Sequence, residues 1–572
     1  MIREGGDAMA RTVGIGHQDF ETIRKKGYFY VDKTNFIKEW WESGDRVSLI
    51  TRPRRFGKTL NMSMTEQFFS VAYADRGDLF EGLSIWKNEE YRQQQGSYPV
   101  ISLSFANIKE ESYATARRKI CQILSNLYSG YNFLLEHPIL DKKEQKFFED
   151  VSADMDDVTA TLAIYQLSSY LTRYYGKKVI IILDEYDTPM QEAYVNGYWD
   201  ELAAFIRSLF NSSFKENPYL ERAIMTGITR ISKESIFSDL NNLEVVTATS
   251  EKYADAFGFT EAEVFAALDE FGLADRAREV KLWYDGFTFG GLTDIYNPWS
   301  IINYLSKKKV GLYWANTSSN RLVGKLLREG NREVKKAFEG LLAGKHLITP
   351  MDEQIVYDQL NTNELAIWSL LLASGYLKVI HYEKYEELGD DFREANYELD
   401  LTNHEVRRMF GSMIKGWFTE TSADYHDFIK ALLLDDRKAM NVYMNRVCSE
   451  MFSYFDTGTK PSKEEPERFY HGFVLGLMVE LADRYVITSN RESGFGRYDV
   501  LLEPRNKADD AMILEFKVQE SEEEAALSDT VKAALEQIDR KEYASNLIAK
   551  GTPRERIRKY GFAFCGKNVL IG

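Results

Sequence analysis

The chain has 572 residues, a formal net charge of −16 and three widely separated cysteines. This length is too great for one hydrophobic core, so roughly two to four domains are expected. The excess of acidic residues excludes a protein that coats nucleic acid over its whole surface, but it is compatible with a local DNA site. We expect a cytoplasmic protein with no membrane partner, because no apolar run approaches the ~18 residues of a membrane helix, the N-terminus lacks the apolar stretch of a signal peptide, and the cysteines have neither metal nor disulfide spacing.

The first part of the chain alternates apolar strands with amphipathic helices. Strands are predicted at residues 46–51, 98–105, 179–183 and 222–231, and helices from near Gly57 and at 113–128, 158–175 and 197–214. The run Val179–Leu183 is apolar throughout, as expected of a strand buried on both faces of a parallel sheet. The alternation predicts a doubly wound α/β domain with a parallel sheet over residues 10–257.

Three further domains are predicted, so the fold class is α/β and multidomain. A helical lid is expected over residues 258–350, where Thr260-Glu-Ala-Glu263 is typical of a capping box. A winged-helix-like connector and further helices are expected over residues 351–457. The connector elements are helices at 364–374 and from Asn403, and strands at 377–381 and 397–401 around a polar hairpin. A linker at 458–466 then precedes a C-terminal α/β domain over residues 467–572.

Residues 51–59, with the sequence TRPRRFGKT, carry the groups of a phosphate-binding loop. At a helix N-terminus the backbone N–H groups point at an anion. A lysine such as Lys58 adds positive charge at the β/γ-phosphates, and a hydroxyl such as that of Thr59 helps to hold Mg²⁺. The general loop pattern has a glycine five residues before Gly57, where this chain has Arg52. The predicted nucleotide contacts in the loop are Arg55, Phe56, Gly57, Lys58, Thr59 and Leu60.

A later apolar strand ends in two carboxylates, Asp184 and Glu185. Ligands of such sheets bind at the carboxyl ends of the strands. We expect Asp184 to hold Mg²⁺ and Glu185 to polarise the attacking water. The next strand ends at Thr226-Gly-Ile-Thr-Arg230. A polar side chain there could sense the γ-phosphate, and Arg230 could neutralise its charge. The alternative is that Arg230 is an incidental arginine at a strand end.

These motifs resemble those of the bacterial AAA-ATPase-like family, many members of which carry a C-terminal PD-(D/E)XK nuclease-like domain. The segments that carry the resemblance are residues 14–20, 30–34, 51–59, 183–187, 283–287, 296–300 and 374–377. Replacement of the first glycine of the loop is usual in that family, so Arg52 departs from the general loop and not from the family. The resemblance covers nearly the whole chain and implies ATP binding and hydrolysis, with ATP and Mg²⁺ as cofactors.

A second constellation lies near the C-terminus, where two apolar segments predict a β-hairpin. Asp499 and Glu515 would lie on its adjacent strands, and Lys517 would face the same side as Glu515. Two carboxylates can hold Mg²⁺ while a lysine orients or deprotonates water for attack on a phosphodiester. This arrangement resembles PD-(D/E)XK. An ordinary cross-strand surface pair is the alternative.

Further residues are predicted for this second site, and one of them has two candidates. A helix is expected over residues 530–543, and its Gln537 resembles the extra polar residue that some of these nucleases use. Many members also need an upstream acid, for which Glu480 and Glu492 are both candidates.

The sequence therefore predicts an ATP-binding and ATP-hydrolysing protein coupled to a Mg²⁺-dependent nuclease-like domain that acts on DNA, as an endonuclease or an exonuclease. ATP and DNA are the expected partners, and a homo-oligomer is an open option. One alternative is a regulatory NTPase switch whose C-terminal domain binds nucleic acid without cleaving it. Another is a scaffold that bound nucleotide stabilises.

Overall fold

The structure is a computed structural model that falls into two compact units, each with its own apolar cores. The first unit comprises Met1–Val334 and His346–Arg407, and the second comprises Lys335–Lys345 and Arg408–Gly572. The described residues are 10–215, 217–231, 236–237, 240–315, 323–324, 326–327, 332–342, 344–351, 364–383, 394–419, 425–451, 474–475, 478, 481, 484–489, 492–493, 496–497, 499–506, 509–519, 524–541, 543–565 and 568–572.

A five-stranded parallel sheet forms the centre of the first unit. Its strands are β1 (Val47–Thr51), β2 (Val100–Ser104), β3 (Val179–Asp184), β4 (Leu220–Gly227) and β5 (Leu243–Val246). They are arranged in the order β2-β3-β4-β1-β5, and each neighbouring pair is parallel. Alternation along β3 sends Ile181 and Leu183 into one apolar core and Ile180 and Ile182 into the other. The predicted doubly wound sheet is confirmed.

Helices cover both faces of this sheet. They span Phe20–Lys25, Asn35–Ser43, Lys58–Phe69, Glu89–Gln94, Tyr113–Ser129, Lys142–Asp150, Asp157–Tyr175, Thr188–Asn196 and Trp199–Phe214. The helix predicted over 197–214 begins instead at Trp199, and an unpredicted helix precedes it. Gly197, in the left-handed region at φ 81°, ends that preceding helix and separates the two.

The segment predicted as a helical lid contains helices and a small antiparallel sheet. Its strands are β6 (Phe259–Thr260), β7 (Phe287–Phe289) and β8 (Leu292–Tyr296), in the order β6-β8-β7. The helices are Glu261–Glu270, Ala277–Tyr284, Pro298–Lys307 and Arg332–Leu342. The predicted capping box is present, since Thr260 N–H donates to Glu263 and Glu263 N–H donates to the Thr260 hydroxyl. β6 and β7 have two and three residues, and the sequence of β8 does not alternate between apolar and polar residues, which is why only the helices were expected.

The connector elements form a three-stranded antiparallel sheet with flanking helices. The strands are β9 (Leu347–Pro350), β10 (Leu377–Tyr382) and β11 (Asn396–Leu401), in the order β10-β11-β9, and the helices are Glu364–Ala373 and His404–Thr419. The two predicted strands and two predicted helices are present, whereas β9 was not predicted. The predicted polar hairpin and the linker at 458–466 lie largely or wholly outside the described residues.

The second unit contains a mixed five-stranded sheet. The strands of this sheet are β12 (Tyr485–Ser489), β15 (Val500–Pro504), β16 (Ala511–Val518), β17 (Ile557–Cys565) and β18 (Asn568–Ile571). Two further strands, β13 (Glu492–Ser493) and β14 (Gly496–Arg497), form a separate two-stranded ribbon. The order is β12-β15-β16-β17-β18, with β16 and β17 parallel and the other pairs antiparallel. The predicted hairpin is therefore β15–β16, and the predicted C-terminal α/β fold is confirmed.

Helices pack on the two faces of this second sheet. Tyr425–Leu433 and Arg437–Met451 share an apolar core with one face, and Leu527–Arg540 and Ser545–Ala549 share a smaller core with the other. The crossover from β16 to the parallel strand β17 runs through these last two helices, as a parallel pair requires. Within the described part of the chain, no helix is both long and apolar enough to cross a membrane.

Truncating the Phe516 side chain should destabilise the second unit alone. Phe516 is 1% exposed, and its ring centroid lies 4.9 Å from that of Phe562. The Phe516→Ala variant should lose about 3–5 kcal/mol of unfolding free energy through the cavity it creates. Calorimetry should show one lowered transition while that of the first unit stays in place. Val486→Ala, at a position 42% exposed, is the control and should change little; parent-like stability of Phe516→Ala would contradict the assigned core.

Candidate functional site

The loop between β1 and the helix Lys58–Phe69 has two residues in the left-handed region. Gly57 has φ 84° and Arg55 has φ 64°. Glycine adopts this conformation without strain, but arginine does not. The Phe56 ring is buried against the rings of Phe287 at 4.7 Å and Phe289 at 5.4 Å, edge to face. Phe56 therefore anchors the loop through its side chain, leaving the loop backbone to meet a ligand.

Lys58 begins the helix that follows the loop and is almost fully buried. Its Nζ donates hydrogen bonds to the carbonyls of Arg52 at 3.0 Å and Pro53 at 3.1 Å, and lies 3.7 Å from Oε1 of Glu185. The ammonium charge is thus held at the mouth of the loop, next to the carboxyl end of β3. Leu60, another predicted contact, lies in the first helical turn and packs partly against an apolar core.

Asp184 at the end of β3 is positioned by two hydroxyl groups. Thr59 Oγ1 donates to Asp184 Oδ2 at 2.7 Å, and the Thr226 hydroxyl at the end of β4 donates to Asp184 Oδ1. Burial, and then the adjacent Glu185, raise the pKa of Asp184. A hydroxyl and a carboxylate at one point are the hard oxygen ligands that Mg²⁺ prefers, so Thr59 and Asp184 fit a magnesium site.

Glu185 lies beside this pair, in a strained backbone conformation. Its φ is 55°, and its carboxylate accepts a hydrogen bond from the Thr188 hydroxyl at 3.2 Å. Burial alone would raise the pKa of Glu185, but Lys58 and then Arg54 outweigh it and leave the pKa below its ordinary value. An ionised carboxylate next to a phosphate site can polarise water, and strained backbone of this kind clusters at functional sites.

Asp187 is a buried carboxylate of this region to which the sequence assigned no role. Its Oδ2 accepts hydrogen bonds from Ile228 N at 3.0 Å, from Thr229 N at 2.8 Å and from Thr229 Oγ1 at 2.7 Å. It therefore ties the turn after β3 to the turn after β4. Its signal in the sequence was a third acid after the buried strand, three residues beyond Asp184.

Arg230 follows that same turn. It lines a small cavity with Thr51 and Thr247, at the carboxyl ends of β1 and β5, and with Ser369 from the connector helix. Among the described residues it makes no ion pair. Its predicted role at the phosphate stays a prediction.

Arg52 occupies the position of the first glycine of the general loop and is buried. Its guanidinium donates to the carbonyls of Thr51 at 2.9 Å and Thr247 at 2.7 Å, and lies 4.4 Å from the Phe289 ring centroid. Burial lowers the pKa of Arg52 to about 9. The residue is thus part of the wall behind the loop rather than a phosphate contact.

The second predicted site lies on the β15–β16 hairpin. The pairing of Val500 with Leu514 puts Asp499 opposite Glu515, and Asp499 Oδ2 accepts a hydrogen bond from Phe516 N at 2.8 Å. Lys517 follows two residues after Glu515 and shares its face of β16. The structure therefore brings the three predicted residues to one end of the hairpin.

Glu515 faces the crossover helix Leu527–Arg540 and is 2% exposed. Gln537 of that helix donates a hydrogen bond to Glu515 Oε1, so this polar residue lies beside the predicted acid. Two carboxylates on adjacent strands fit a divalent cation. Of the two candidate upstream acids, Glu480 lies outside the described residues, and Glu492 is described only as backbone paired with Arg497 in the ribbon, so both remain candidates.

Comparisons with known proteins identify the two domains in which these candidate sites lie. Residues 14–237 match the family described as predicted AAA-ATPase, and residues 465–572 match the PD-(D/E)XK nuclease superfamily. The chain is also 26% identical over 396 residues to a protein of Azotobacter chroococcum mcd 1 named "Uncharacterized protein in vnfD 5'region", covering 69% of this chain and 68% of that protein. The chain thus combines a predicted AAA-ATPase-like domain with a C-terminal PD-(D/E)XK nuclease superfamily domain.

Proposed function

We propose that the protein binds and hydrolyses ATP with Mg²⁺ at the loop of the first unit, and that its C-terminal domain cleaves DNA in a Mg²⁺-dependent reaction. The two domain families support ATPase and nuclease-like activity in general. The observation that carries the finer proposal is the meeting of Lys58, Thr59, Asp184 and Glu185 at one edge of the sheet.

In the ATPase reaction, each of these groups has a distinct task. Lys58 neutralises the β/γ-phosphates, because its ammonium already lies over the loop. Thr59 and Asp184 would hold Mg²⁺, which would neutralise the phosphate oxygens when bound. Glu185 stays ionised through Lys58 and Arg54 and orients the attacking water. Thr226, bonded to Asp184, links the end of β4 to the same point.

In the nuclease reaction, the β15–β16 hairpin supplies the chemistry. Asp499 and Glu515 would hold Mg²⁺, which supplies Lewis acidity at the phosphodiester. Gln537 orients Glu515 through its hydrogen bond, and Lys517 orients or deprotonates the attacking water. Because the net charge is −16, DNA must meet a local site rather than a generally attractive surface.

The Lys58→Ala variant should bind ATP about 10- to 100-fold more weakly, since a hydrogen bond to a charged group is worth about 1.5–3 kcal/mol. Titration with a fluorescent ATP analogue in the presence of Mg²⁺ measures the affinity. Lys38→Ala is the matched control, because Lys38 is exposed and pairs only loosely with Glu42 at 3.9 Å. Equal affinity of Lys58→Ala and the parent would refute the nucleotide site.

The Glu185→Gln variant should retain ATP affinity and lose about 10²–10⁴-fold in kcat, the range of general-base contributions. Phosphate release measures turnover, and calorimetric titration measures binding. Glu192→Gln, on the following helix Thr188–Asn196, makes the same chemical change away from the site and should behave as the parent. Turnover at the parent rate in Glu185→Gln would show that another group orients the water.

At the hairpin, Glu515→Gln should abolish both Mn²⁺ binding and plasmid cleavage, whereas Lys517→Ala should keep Mn²⁺ binding and slow cleavage. The difference arises because Glu515 is proposed as a ligand and Lys517 only as a partner of water. Glu503→Gln, which removes a carboxylate of β15 that pairs with Lys550, is the control. Cleavage by Glu515→Gln at the parent level would contradict the proposed site. If the parent cleaves DNA neither with nor without ATP, a domain that binds nucleic acid without cleaving it is favoured.

A further inference from the structure

The path of the phosphate loop is held by side chains that lie far from it in the sequence. The carbonyl of Arg54 accepts two hydrogen bonds, from Asn297 Nδ2 at 3.2 Å and from Trp314 Nε1 at 3.0 Å. The guanidinium carbon of Arg55 lies 4.5 Å from the ring centroid of Trp299. Three side chains of one segment, residues 297–314, therefore contact two consecutive residues of the loop.

Those contacts fall where the loop needs support. Arg55 is a non-glycine residue at φ 64°, a strained conformation that persists only when the surroundings determine it. The peptide between Arg54 and Arg55 is fixed through the Arg54 carbonyl, and the Arg55 side chain is fixed over Trp299. The segment thus holds the turn that leads into Gly57 and Lys58.

Glu405 in turn holds the segment itself. This carboxylate lies in the first turn of the helix His404–Thr419 and is 1% exposed. It accepts hydrogen bonds from Trp314 N at 2.7 Å and Ala315 N at 3.3 Å through Oε1, and from Ser300 Oγ at 2.7 Å through Oε2. One buried side chain therefore fixes both ends of the segment, the start of the helix Pro298–Lys307 and the backbone of Trp314.

Burial of a carboxylate costs free energy, because the charged group loses its contact with water. Among the described residues Glu405 has no cationic partner, and burial raises its pKa against the lowering effect of its hydrogen bonds, that of Ser300 first. Its three hydrogen bonds compensate in part for the loss of water around the charge. Beyond packing, Glu405 fixes the positions of three hydrogen-bond donors, because its two oxygens accept from all three of them.

We propose that Glu405 and Trp314 are positioning residues for the phosphate loop, a role that rests on the proposed ATP site. Trp314 donates to the Arg54 carbonyl, and Glu405 fixes the backbone from which Trp314 reaches the loop. In this proposal both residues act on the nucleotide only through the backbone of the loop. Their removal should loosen the loop and weaken ATP binding.

The Trp314→Phe and Glu405→Gln variants test this proposal by two readouts, hydrogen–deuterium exchange of residues 52–60 without nucleotide and affinity for ATP with Mg²⁺. Trp314→Phe keeps an aromatic ring between Phe287 and Tyr376 but removes the indole N–H. Both variants should exchange the loop amides faster and bind ATP about tenfold more weakly, the effect of roughly one lost hydrogen bond. Because they act along one path, the double variant should be less than additive.

Tyr284→Phe is the matched control. It removes the hydroxyl that donates to Gly311 O at 3.0 Å and accepts from Gly311 N at 2.9 Å. The same segment therefore loses partly buried hydrogen bonds, neither of which involves Arg54. Loop exchange and ATP affinity should match the parent even if the thermal transition falls.

Unchanged loop exchange in Trp314→Phe and Glu405→Gln would overturn the proposal whether or not the parent binds ATP. Faster loop exchange with unchanged ATP affinity would overturn it too, since the loop would then not need the support. A parent that fails to bind ATP is the separate failure of the proposed function. If Glu405→Gln does not fold, Trp314→Phe and its exchange pattern decide the outcome.

Discussion

The parallel sheet of the first unit places the chemistry of the ATPase-like domain, because parallel strands deliver their carboxyl ends to one edge. β1 pairs with β4 from Val47 to Thr51, and β4 pairs with β3. The lysine and hydroxyl that follow β1 therefore meet the carboxylates that follow β3 and the hydroxyl that ends β4. Every position of β1 and β3 is buried. The convergence depends on the register of these strands, since a one-residue slip would displace the residues that follow their carboxyl ends.

Two layers of side chains keep the loop at this edge. Behind the loop, Arg52 bonds the carbonyls of Thr51 and Thr247 and so ties the ends of β1 and β5 together, where a glycine would offer no side chain. On the other side, the carbonyl of Arg54 is held from the segment that contains Trp314. The arginine that departs from the general loop pattern thus belongs to the scaffold, whereas the charge for phosphate comes from Lys58.

The sequence predicted the elements whose signal is local. β3 is an uninterrupted apolar run, and the loop, the carboxylates and the hairpin acids are read within a few residues. β5 was missed because it has only four residues, of which Glu244 is exposed and Val246 alone is buried. β6 and β7 are too short to alternate, and the five residues of β8 have no alternating apolar pattern. The roles of Asp187, Trp314 and Glu405 could not be predicted, because each depends on a contact between residues that are distant in the chain and carry no shared pattern.

The order of strands has a consequence for how the protein is made. β1 is the first strand synthesised, yet its two neighbours in the sheet are β4 and β5, which end at Gly227 and Val246. At about 5–20 residues per second, translation needs on the order of ten seconds or more to supply them. During that interval both hydrogen-bonding edges of β1 lack their partners. The nascent chain must therefore keep this strand from pairing elsewhere, and chaperone demand during synthesis should fall once residue 246 has left the ribosome.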